Sequence, residues 1–326
     1  MPIIDMARAD LERYRPSPTA EPDLTSFWER TLAEAARQPL DVQVESVEFP
    51  VENLSVYRLS YGGWHGTRVV GWFLTRADGS RQPGLVFYHG YSGRAPRPID
   101  LMYLAAQGLC VLSMDTRGQN NQSQDAAITP EGHYMGWMTQ GIRDPQSYYY
   151  RYVYADAIRA LELLAKREEV DPQRLAVTGA SQGGGISLAV AALSPRPRLC
   201  LPDIPFLCDY KRAMTITTSG PYPEIPHFLK AFPHLYDTAI RTLSYCDCLN
   251  LAPWIKCRTV ISNCLWDDVC PPSTIFAAYH HITAEKQMEI YPFHKHEVPY
   301  EHKELQLRLL MEMFGGAGSE PKGKAS

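Results

Sequence analysis

The sequence predicts an α/β fold with a mostly parallel central sheet and helices on both faces. Two observations predict this fold class. From Gln82 onward, apolar segments of strand length alternate with helix-like segments. Before Gln82, the apolar residues are spaced as in successive strands. Strands that are apolar throughout are typical of sheets buried on both faces, and parallel neighbours need helical crossovers. A chain of 326 residues can bury a sizeable core.

The amino-terminal part predicts antiparallel strands at one edge of the sheet. Apolar residues recur at a spacing of two or three between Val42 and Phe49. The segments SVYRLSY and TRVVGWFL follow, separated by a turn at Gly62 and Gly63. Short alternating runs joined by glycine turns favour antiparallel pairing.

From Gln82 the pattern predicts strands and helices in alternation. In chain order they are GLVFYHG, the helix PIDLMYLAAQG, LCVLSMD, the helix YYYRYVYADAIRALELLAKR, RLAVTG, the helix GGISLAVAAL, RLCLPDIPF, RTVISNC, the helix STIFAAYHH, MEIYPF and the helix EHKELQLRLLMEMF. A mostly helical segment at about 208–251 interrupts this order, and we interpret it as a cap inserted into a single domain spanning 1–314. The Gly/Ser/Lys-rich tail 315–326 is predicted to be disordered.

Composition excludes several classes of partner. The net charge is −4, and no run of Lys or Arg indicates nucleic acid or an anionic membrane. No apolar stretch approaches the roughly 20 residues of a membrane helix, and the amino terminus does not resemble a signal peptide. The eight cysteines include no C-x-x-C pair, and the lone C-x-C of Cys246 and Cys248 is a weak zinc signal. We therefore expect a cytoplasmic protein with reduced thiols and no metal.

The segment RLAVTGASQGGGIS places Ser181 between a buried strand and a helix. A simple tight turn is one interpretation. The other is a nucleophile elbow, G-x-S-x-G, in which the serine adopts a backbone conformation that costs on the order of 1–3 kcal/mol. Its neighbours two positions away must then be small, and Gly179 and Gly183 meet that demand. The strand before and the helix after favour the elbow.

A serine nucleophile needs a base and an acid, which follow it in that fold in the order serine, acid, histidine. Asp267 and Asp268 come after the strand RTVISNC, and a carboxylate there would orient an imidazole. His294 and His296 come after the last strand, MEIYPF. Position alone does not separate the two members of either pair.

An oxyanion hole needs two amides. One is expected from Gln182, directly after the serine, and the other from the loop after LVFYHG, at Tyr91. His89 precedes the nucleophile at a strand end, so we predict that it shapes this loop and is not the base.

Three motifs together resemble the seventh family of carbohydrate esterases, which comprises acetyl xylan esterases and cephalosporin C deacetylases. They are DTRGQ at 115–119, GASQGGG at 179–185, and the pair His296–Glu297. The segments GWMTQGIRDPQSYYYRYVYADAIRALE, TLSYCDCLNLA and CPPSTIFAAY are similar to the same family. The likeness runs from the amino-terminal helix to Phe314.

The resemblance implies an α/β-hydrolase fold and a catalytic triad. Ser181 would be the nucleophile. His296 would be the base, because the family pairs this histidine with a glutamate, and Asp267 the acid, because of its distance from the Cys-Pro-Pro run. The amides of Tyr91 and Gln182 would form the oxyanion hole, with Tyr91 also binding substrate. The residues implied to support the site are Arg117, Gln119, Gly179, Gly183 and Glu297.

The activity implied is removal of O-acetyl groups from acetylated xylo-oligosaccharides and other small esters, including cephalosporin C, through an acetyl-enzyme and without cofactor or metal. The resemblance also implies a homohexamer built as a dimer of trimers, with an interface extension at about 126–137. Arg94, Trp266 and His294 depart from the family pattern, so substrate preference stays open. A serine peptidase would normally carry a large propeller domain, and a non-catalytic binder would have a damaged triad.

Overall fold

One mixed sheet organises the protein, as seen in a computed structural model that describes residues 4–120, 122–127 and 135–315. Within these residues the sheet has nine strands in the order β1-β2-β3-β5-β4-β6-β7-β8-β9. The strands are β1 (Gln43–Val47), β2 (Leu54–Gly62), β3 (Arg68–Arg76), β4 (Gln82–Tyr88), β5 (Cys110–Met114), β6 (Val170–Ala180), β7 (Leu199–Asp203), β8 (Arg258–Cys264) and β9 (Lys286–Tyr291).

The sheet divides into the two parts that the sequence predicts. The pairs β1–β2, β2–β3 and β3–β5 are antiparallel. From β5 through β4 to β9 every pair is parallel. Strand β6 begins before the predicted RLAVTG, because Val170 and Asp171 extend the pairing with β4 across an irregularity at Pro83 and Gly84. The predicted fold class is confirmed.

Helices cover both faces of the sheet. They are α1 (Arg8–Leu11), α2 (Leu24–Arg37), α3 (Pro98–Ala106), α4 (Tyr149–Ala165), α5 (Gln182–Leu193), α6 (Tyr210–Ile216), α7 (Glu224–Ala231), α8 (Tyr236–Ser244), α9 (Cys248–Leu251), α10 (Pro272–His281) and α11 (Tyr300–Phe314), with short 3₁₀ turns at Trp64–Gly66, Pro233–Leu235 and Ala252–Trp254. Helices α6 to α9 lie between β7 and β8 and form the inserted cap. Within the described residues, no helix combines the length and apolarity that crossing a bilayer requires.

The core lies on both sides of the sheet because successive strand residues point to opposite faces. On β4, Val86 packs in the larger core cluster with α4 and α5, whereas Leu85 packs in a second cluster with α3 and α11. All eight cysteines are buried free thiols. The lengths of the strands and helices follow the local apolar pattern of the sequence. The parallel order of β4 to β9 brings the carboxyl ends of these strands to one edge of the sheet.

Two expectations extend beyond what the structure describes. The predicted disordered tail lies outside the described residues except for Gly315, and residues 128–134 of the predicted interface extension also lie outside them. The extent of the single domain and the cap boundaries at 208–251 stay predictions.

Candidate active site

The candidate residues come together at the carboxyl edge of the sheet, where ligands bind in parallel α/β proteins. Tyr91 follows β4 and Ser181 follows β6. Asp267 follows β8, and His296 follows β9. Loops that are far apart in sequence thus converge because their strands are parallel neighbours.

Ser181 sits in a strained turn at the start of α5. Its backbone has φ 57° and ψ −117°, a conformation that side chains with a Cβ disfavour. The turn is held by hydrogen bonds from the Ser181 amide to the carbonyl of Asp203 (2.9 Å) and from the Phe206 amide to the carbonyl of Ser181 (2.9 Å). These contacts hold the serine in the elbow conformation that the sequence predicts.

The elbow glycines are required by close backbone approach. A Cβ added to Gly179 would lie 2.3 Å from the carbonyl oxygen of Tyr88, and one added to Gly183 would lie 2.0 Å from the same atom. A Cβ on Gly184 would lie 2.6 Å from the carbonyl oxygen of Asp203. The backbone of β4 and β7 therefore lies too close to these three positions for any of them to carry a side chain.

Asp267 and His296 contact each other directly. Nδ1 of His296 donates to Oδ2 of Asp267 at 2.8 Å. The other carboxylate oxygen accepts hydrogen bonds from the amides of Val269 and Cys270, both at 2.8 Å. Asp267 is completely buried, whereas 26% of the His296 side chain is exposed. This pairing fixes the imidazole and leaves Nε2 free to act as a base.

The alternative residues point elsewhere. Asp268 accepts a hydrogen bond from the hydroxyl of Ser219 at 2.8 Å. The ring of His294 packs edge-on against Tyr291, with centroids 5.7 Å apart. Asp267, and not Asp268, is therefore the acid that contacts His296.

A cavity of about 400 Å³ is shared by Ser181 and His296. Ser181, His296 and Tyr91 line it together with Val269. Oγ of Ser181 lies 4.0 Å from Sγ of Cys270, the residue whose amide binds Asp267. An ester that entered this cavity would meet the serine and the imidazole together.

Cys270 also brings a third potential metal ligand to the site. One ligand atom each from Asp267, Cys270 and His296 lie within 4.8 Å of one another. Asp267 and His296 are already hydrogen bonded, however, and burial followed by the charge of Asp267 raises the pKa of the Cys270 thiol well above its ordinary value. Because metal binding needs the thiolate, these contacts favour the hydrogen-bonded pair.

Side chains around the predicted oxyanion amides are tightly connected. Gln119 donates from Nε2 to Oε1 of Gln182 at 2.8 Å, and Tyr150 donates its hydroxyl to the same oxygen at 2.9 Å. Oε1 of Gln119 accepts from the amide of Ser92 at 3.1 Å. Gln119 therefore joins the loop that carries Tyr91 to the first residue of α5.

His89 has both ring nitrogens engaged with backbone. Nε2 accepts from the amide of Thr116 at 2.9 Å, so Nδ1 carries the proton and donates to the carbonyl of Gly90 at 2.7 Å. Burial lowers the pKa of His89. The imidazole thus links the loop after β4 to the loop after β5, as its predicted role requires.

The other predicted supporting residues lie behind the site. Arg117 is completely buried and forms two hydrogen bonds with Asp156, at 2.7 and 2.9 Å, and one with the carbonyl of Trp64 at 2.8 Å. Glu297 accepts from the amide of Lys295 at 3.4 Å in the loop that carries His296. These contacts hold the loops and do not reach the cavity.

Two of the departures from the family pattern, Arg94 and Trp266, do not line the cavity that Ser181 and His296 share. Arg94 lines a second, larger cavity of about 780 Å³ between α3 and α11. Trp266 packs edge-on against Phe293, with centroids 5.9 Å apart.

Glu224 belongs to none of the sequence motifs, yet its side chain lines the cavity of Ser181 and His296 from helix α7. Oε1 of Glu224 accepts a hydrogen bond from the hydroxyl of Tyr91 at 2.7 Å. No pattern in the segment PYPEIPHF marks this glutamate, because its partner is remote in sequence.

Comparison with known proteins identifies the family. The acetyl xylan esterase (AXE1) family matches residues 1–312. The chain is 42% identical to the solved acetyl xylan esterase from Paenibacillus sp. R4, with a TM-score of 0.93 over 95% of this chain and 100% of that one. It is 33% identical to acetyl xylan esterase 1 from Thermoanaerobacterium sp., with a TM-score of 0.90 over 95% and 99% of the two chains.

A curated relative, the acetyl esterase Axe7A of Xylanibacter ruminicola, is 27% identical over 291 residues. The match covers 87% of this chain and 65% of that longer relative. The chain therefore belongs to the acetyl xylan esterase family, the seventh family of carbohydrate esterases, whose members are carboxylic ester hydrolases of the α/β-hydrolase fold.

Proposed function

We propose that this protein is a serine carboxylesterase that removes O-acetyl groups through an acetyl-enzyme intermediate. The observation that carries the proposal is the arrangement at the edge of the sheet. Ser181, in a strained turn, shares a cavity with His296, and His296 is held by a buried Asp267. Membership of the acetyl xylan esterase family supports the same chemistry.

The first half of the reaction acylates the serine. Nε2 of His296 takes the proton of Ser181 as Oγ attacks the acetyl carbonyl, and Asp267 stabilises the imidazolium that forms. The amides of Tyr91 and Gln182 bind the oxyanion, and each such donor is typically worth about 3 kcal/mol. His296 then gives the proton to the leaving alcohol.

The second half releases acetate. His296 removes a proton from water, which attacks the acetyl-enzyme, and the same amides stabilise the second oxyanion. Collapse of this intermediate returns the proton to Ser181. Every proton passes through one imidazole, and the reaction uses no cofactor.

The substrates proposed are acetylated xylo-oligosaccharides and small acetyl esters, including cephalosporin C. The names of the relatives at 42% and 33% identity support xylan-derived esters. A comparison of acetyl, butyryl and octanoyl esters, with acetylated xylotriose and cephalosporin C, measures the range. We expect activity to fall as the acyl chain lengthens.

We further propose a cytoplasmic homohexamer, a dimer of trimers. The support is the family resemblance of the sequence and, for a reducing compartment, the eight buried free thiols. Light scattering of the purified protein measures the mass of the assembly, and a trimer or monomer would contradict the hexamer.

The test of the function combines activity with labelling. We expect hydrolysis of p-nitrophenyl acetate and stoichiometric labelling by a serine-directed phosphonate, both lost in Ser181→Ala. A protein that neither hydrolyses the ester nor accepts the label would contradict the proposal.

Asp267→Asn and Asp268→Asn form a matched pair of variants for the acid. We expect Asp267→Asn to lower kcat by about 10⁴-fold, because the wrong imidazole tautomer is then favoured. Asp268→Asn is expected to stay within about twofold of the unchanged protein, because Asp268 binds Ser219 and not the imidazole. Equal losses in the two variants would contradict the assignment of the acid.

A further inference from the structure

The cap contributes a carboxylate to the wall of the catalytic cavity. Glu224 is in the first turn of α7 and lines the cavity with Ser181 and His296. Its Oε1 accepts the hydroxyl proton of Tyr91 at 2.7 Å, and its Oε2 accepts from the amide of Met138 at 3.1 Å. Both carboxylate oxygens are therefore engaged by groups outside the cap.

The Tyr91 hydroxyl is held from two sides. It donates to Glu224 and accepts a hydrogen bond from the amide of Trp137 at 2.6 Å. The ring packs edge-on against the rings of Trp137 and Phe206, with centroids 5.3 and 6.2 Å apart. With its ring packed and its hydroxyl bonded on both sides, the Tyr91 side chain has one well-defined position.

The segment before Met138 is shaped to receive this carboxylate. Gly136 has φ +75°, and a Cβ at this position would lie 2.0 to 2.1 Å from the carboxylate atoms of Glu224. A side chain there would expel the carboxylate. Burial raises the pKa of Glu224, whereas the hydrogen bonds from Tyr91 and Met138 lower it. Gly136 allows the close approach of the carboxylate. The adjacent amides of Trp137 and Met138 bind the Tyr91 hydroxyl and the Glu224 carboxylate, respectively. The contact is therefore specific and not a chance encounter of surface groups.

We infer that Glu224 is a positioning residue for the oxyanion hole, acting through the side-chain hydroxyl of Tyr91 on the backbone amide of the same residue. This inference rests on the proposed function, in which that amide binds the oxyanion. The physical reason is that a phenol held at its far end limits rotation of the whole residue. Gln119 and His89 hold the backbone of this loop on either side of Tyr91, and Glu224 holds the Tyr91 side chain itself. Preorganised donors cost no reorganisation when charge develops.

The inference predicts an effect on kcat and not on KM. Oxyanion contacts strengthen in the transition state, so their loss lowers kcat with KM almost unchanged. We expect Glu224→Ala to lower kcat by roughly tenfold to a hundredfold, since a misplacement of about 1 Å costs about a hundredfold. Glu224→Gln should lose less, because its amide oxygen can still accept the Tyr91 hydroxyl proton.

A double-mutant cycle on p-nitrophenyl acetate with Tyr91→Phe tests the route of the effect. If Glu224 acts through the hydroxyl, the double variant Glu224→Ala/Tyr91→Phe loses no more than the larger single loss. Losses that multiply would overturn the inference, as would a kcat for Glu224→Ala within twofold of the unchanged protein or a change confined to KM. If Glu224→Ala does not fold, the same cycle is run with Glu224→Leu, which also removes the acceptor of the Tyr91 hydroxyl but fills more of the space of the glutamate.

A matched control separates positioning from stability of the cap. Tyr14→Phe also removes a tyrosine hydroxyl from a carboxylate, that of Asp209 at the start of cap helix α6, at 3.0 Å. We expect it to lower the melting temperature with kcat unchanged. An equal fall of kcat in this control would show a general loosening of the cap and overturn the inference. If the protein without substitutions fails to hydrolyse p-nitrophenyl acetate, that result contradicts the proposed function itself.

Discussion

At the scale of single residues, the site depends on backbone that approaches too closely for side chains. Ser181 tolerates φ 57° because its amide and its carbonyl both have backbone partners in the segment 203–206. Gly179 and Gly183, two positions away on either side, leave no space for a Cβ against the carbonyl oxygen of Tyr88. A strained serine is thus held by surrounding contacts, and under the proposed function this strain is part of how its hydroxyl is presented.

Gly183→Ala is expected to cost about 3 kcal/mol of unfolding free energy or more and to abolish esterase activity. The added Cβ would lie 2.0 Å from a backbone oxygen, and neither α5 nor β4 can shift without disturbing the core. Urea unfolding and the p-nitrophenyl acetate assay measure both effects.

Gly79→Ala is the matched control for this substitution. Gly79 has φ +67° and nothing within 4 Å of the added Cβ, so only about 1 kcal/mol of backbone strain is expected. Comparable losses in the two variants would show that close approach at the elbow is unimportant.

At the scale of elements, helix α11 supports the turn at Ser181 from behind. Gln306 donates to both carboxylate oxygens of Asp203 at 2.9 Å, and Nε2 of His302 lies 2.9 Å from Oδ1 of the same carboxylate. The backbone carbonyl of Asp203 in turn accepts the amide of Ser181. Helix α11, the last helix in the part of the chain that the structure describes, therefore stabilises the end of β7, which holds the elbow.

His302→Ala is expected to lower the unfolding free energy by about 2–4 kcal/mol. The substitution leaves a cavity and removes a partner from the hydroxyl of Tyr291, which lies 2.9 Å from Nδ1 of His302. Chemical denaturation measures the loss. Lys303 is the next residue and is exposed, so Lys303→Ala should change the unfolding free energy by no more than about 0.5 kcal/mol. A loss as large as that of His302→Ala would contradict the role assigned to His302.

At the scale of the whole molecule, a buried pair of acids, Asp209 and Asp247, joins the two ends of the segment between β7 and β8. Asp247 accepts from the amides of Asp209 and Leu249 with one oxygen and from Tyr210 with the other. Burial, followed by the neighbouring charge of Asp209, raises the pKa of Asp247 to about 7. The link between α6 and α9 therefore includes a carboxyl group that binds its proton more strongly in the folded protein than in the unfolded chain.

This shift makes stability depend on pH. An unfolded aspartate loses its proton near pH 4, so between about pH 4 and pH 7 the folded state binds more protons. The unfolding free energy must then fall as pH rises through this window, by roughly 2–4 kcal/mol from this group. Asp247→Asn cannot titrate and should show a smaller fall in denaturation series from pH 4.5 to 7.5.

Asp237→Asn, in the exposed first turn of α8, is the control and should keep the pH dependence of the unchanged protein. An identical slope in Asp247→Asn would assign the pH dependence to other groups.

The sequence by itself determined the strands, the helices and the elbow. Apolar periodicity is a local property, so the helix at Gln182–Leu193 and the strand at Arg258–Cys264 could be predicted closely. The glycines around Ser181 also carried their reason locally, because a sharp turn needs small neighbours. The family resemblance chose between the paired acids and histidines that spacing left open.

Only the tertiary structure decided which side chains meet. Asp268 turns to Ser219 and Asp267 to His296, although the two acids are adjacent in sequence. Glu224 reaches Tyr91 across 133 positions of the chain. Side-chain direction depends on how remote segments pack, and no local pattern contains that information.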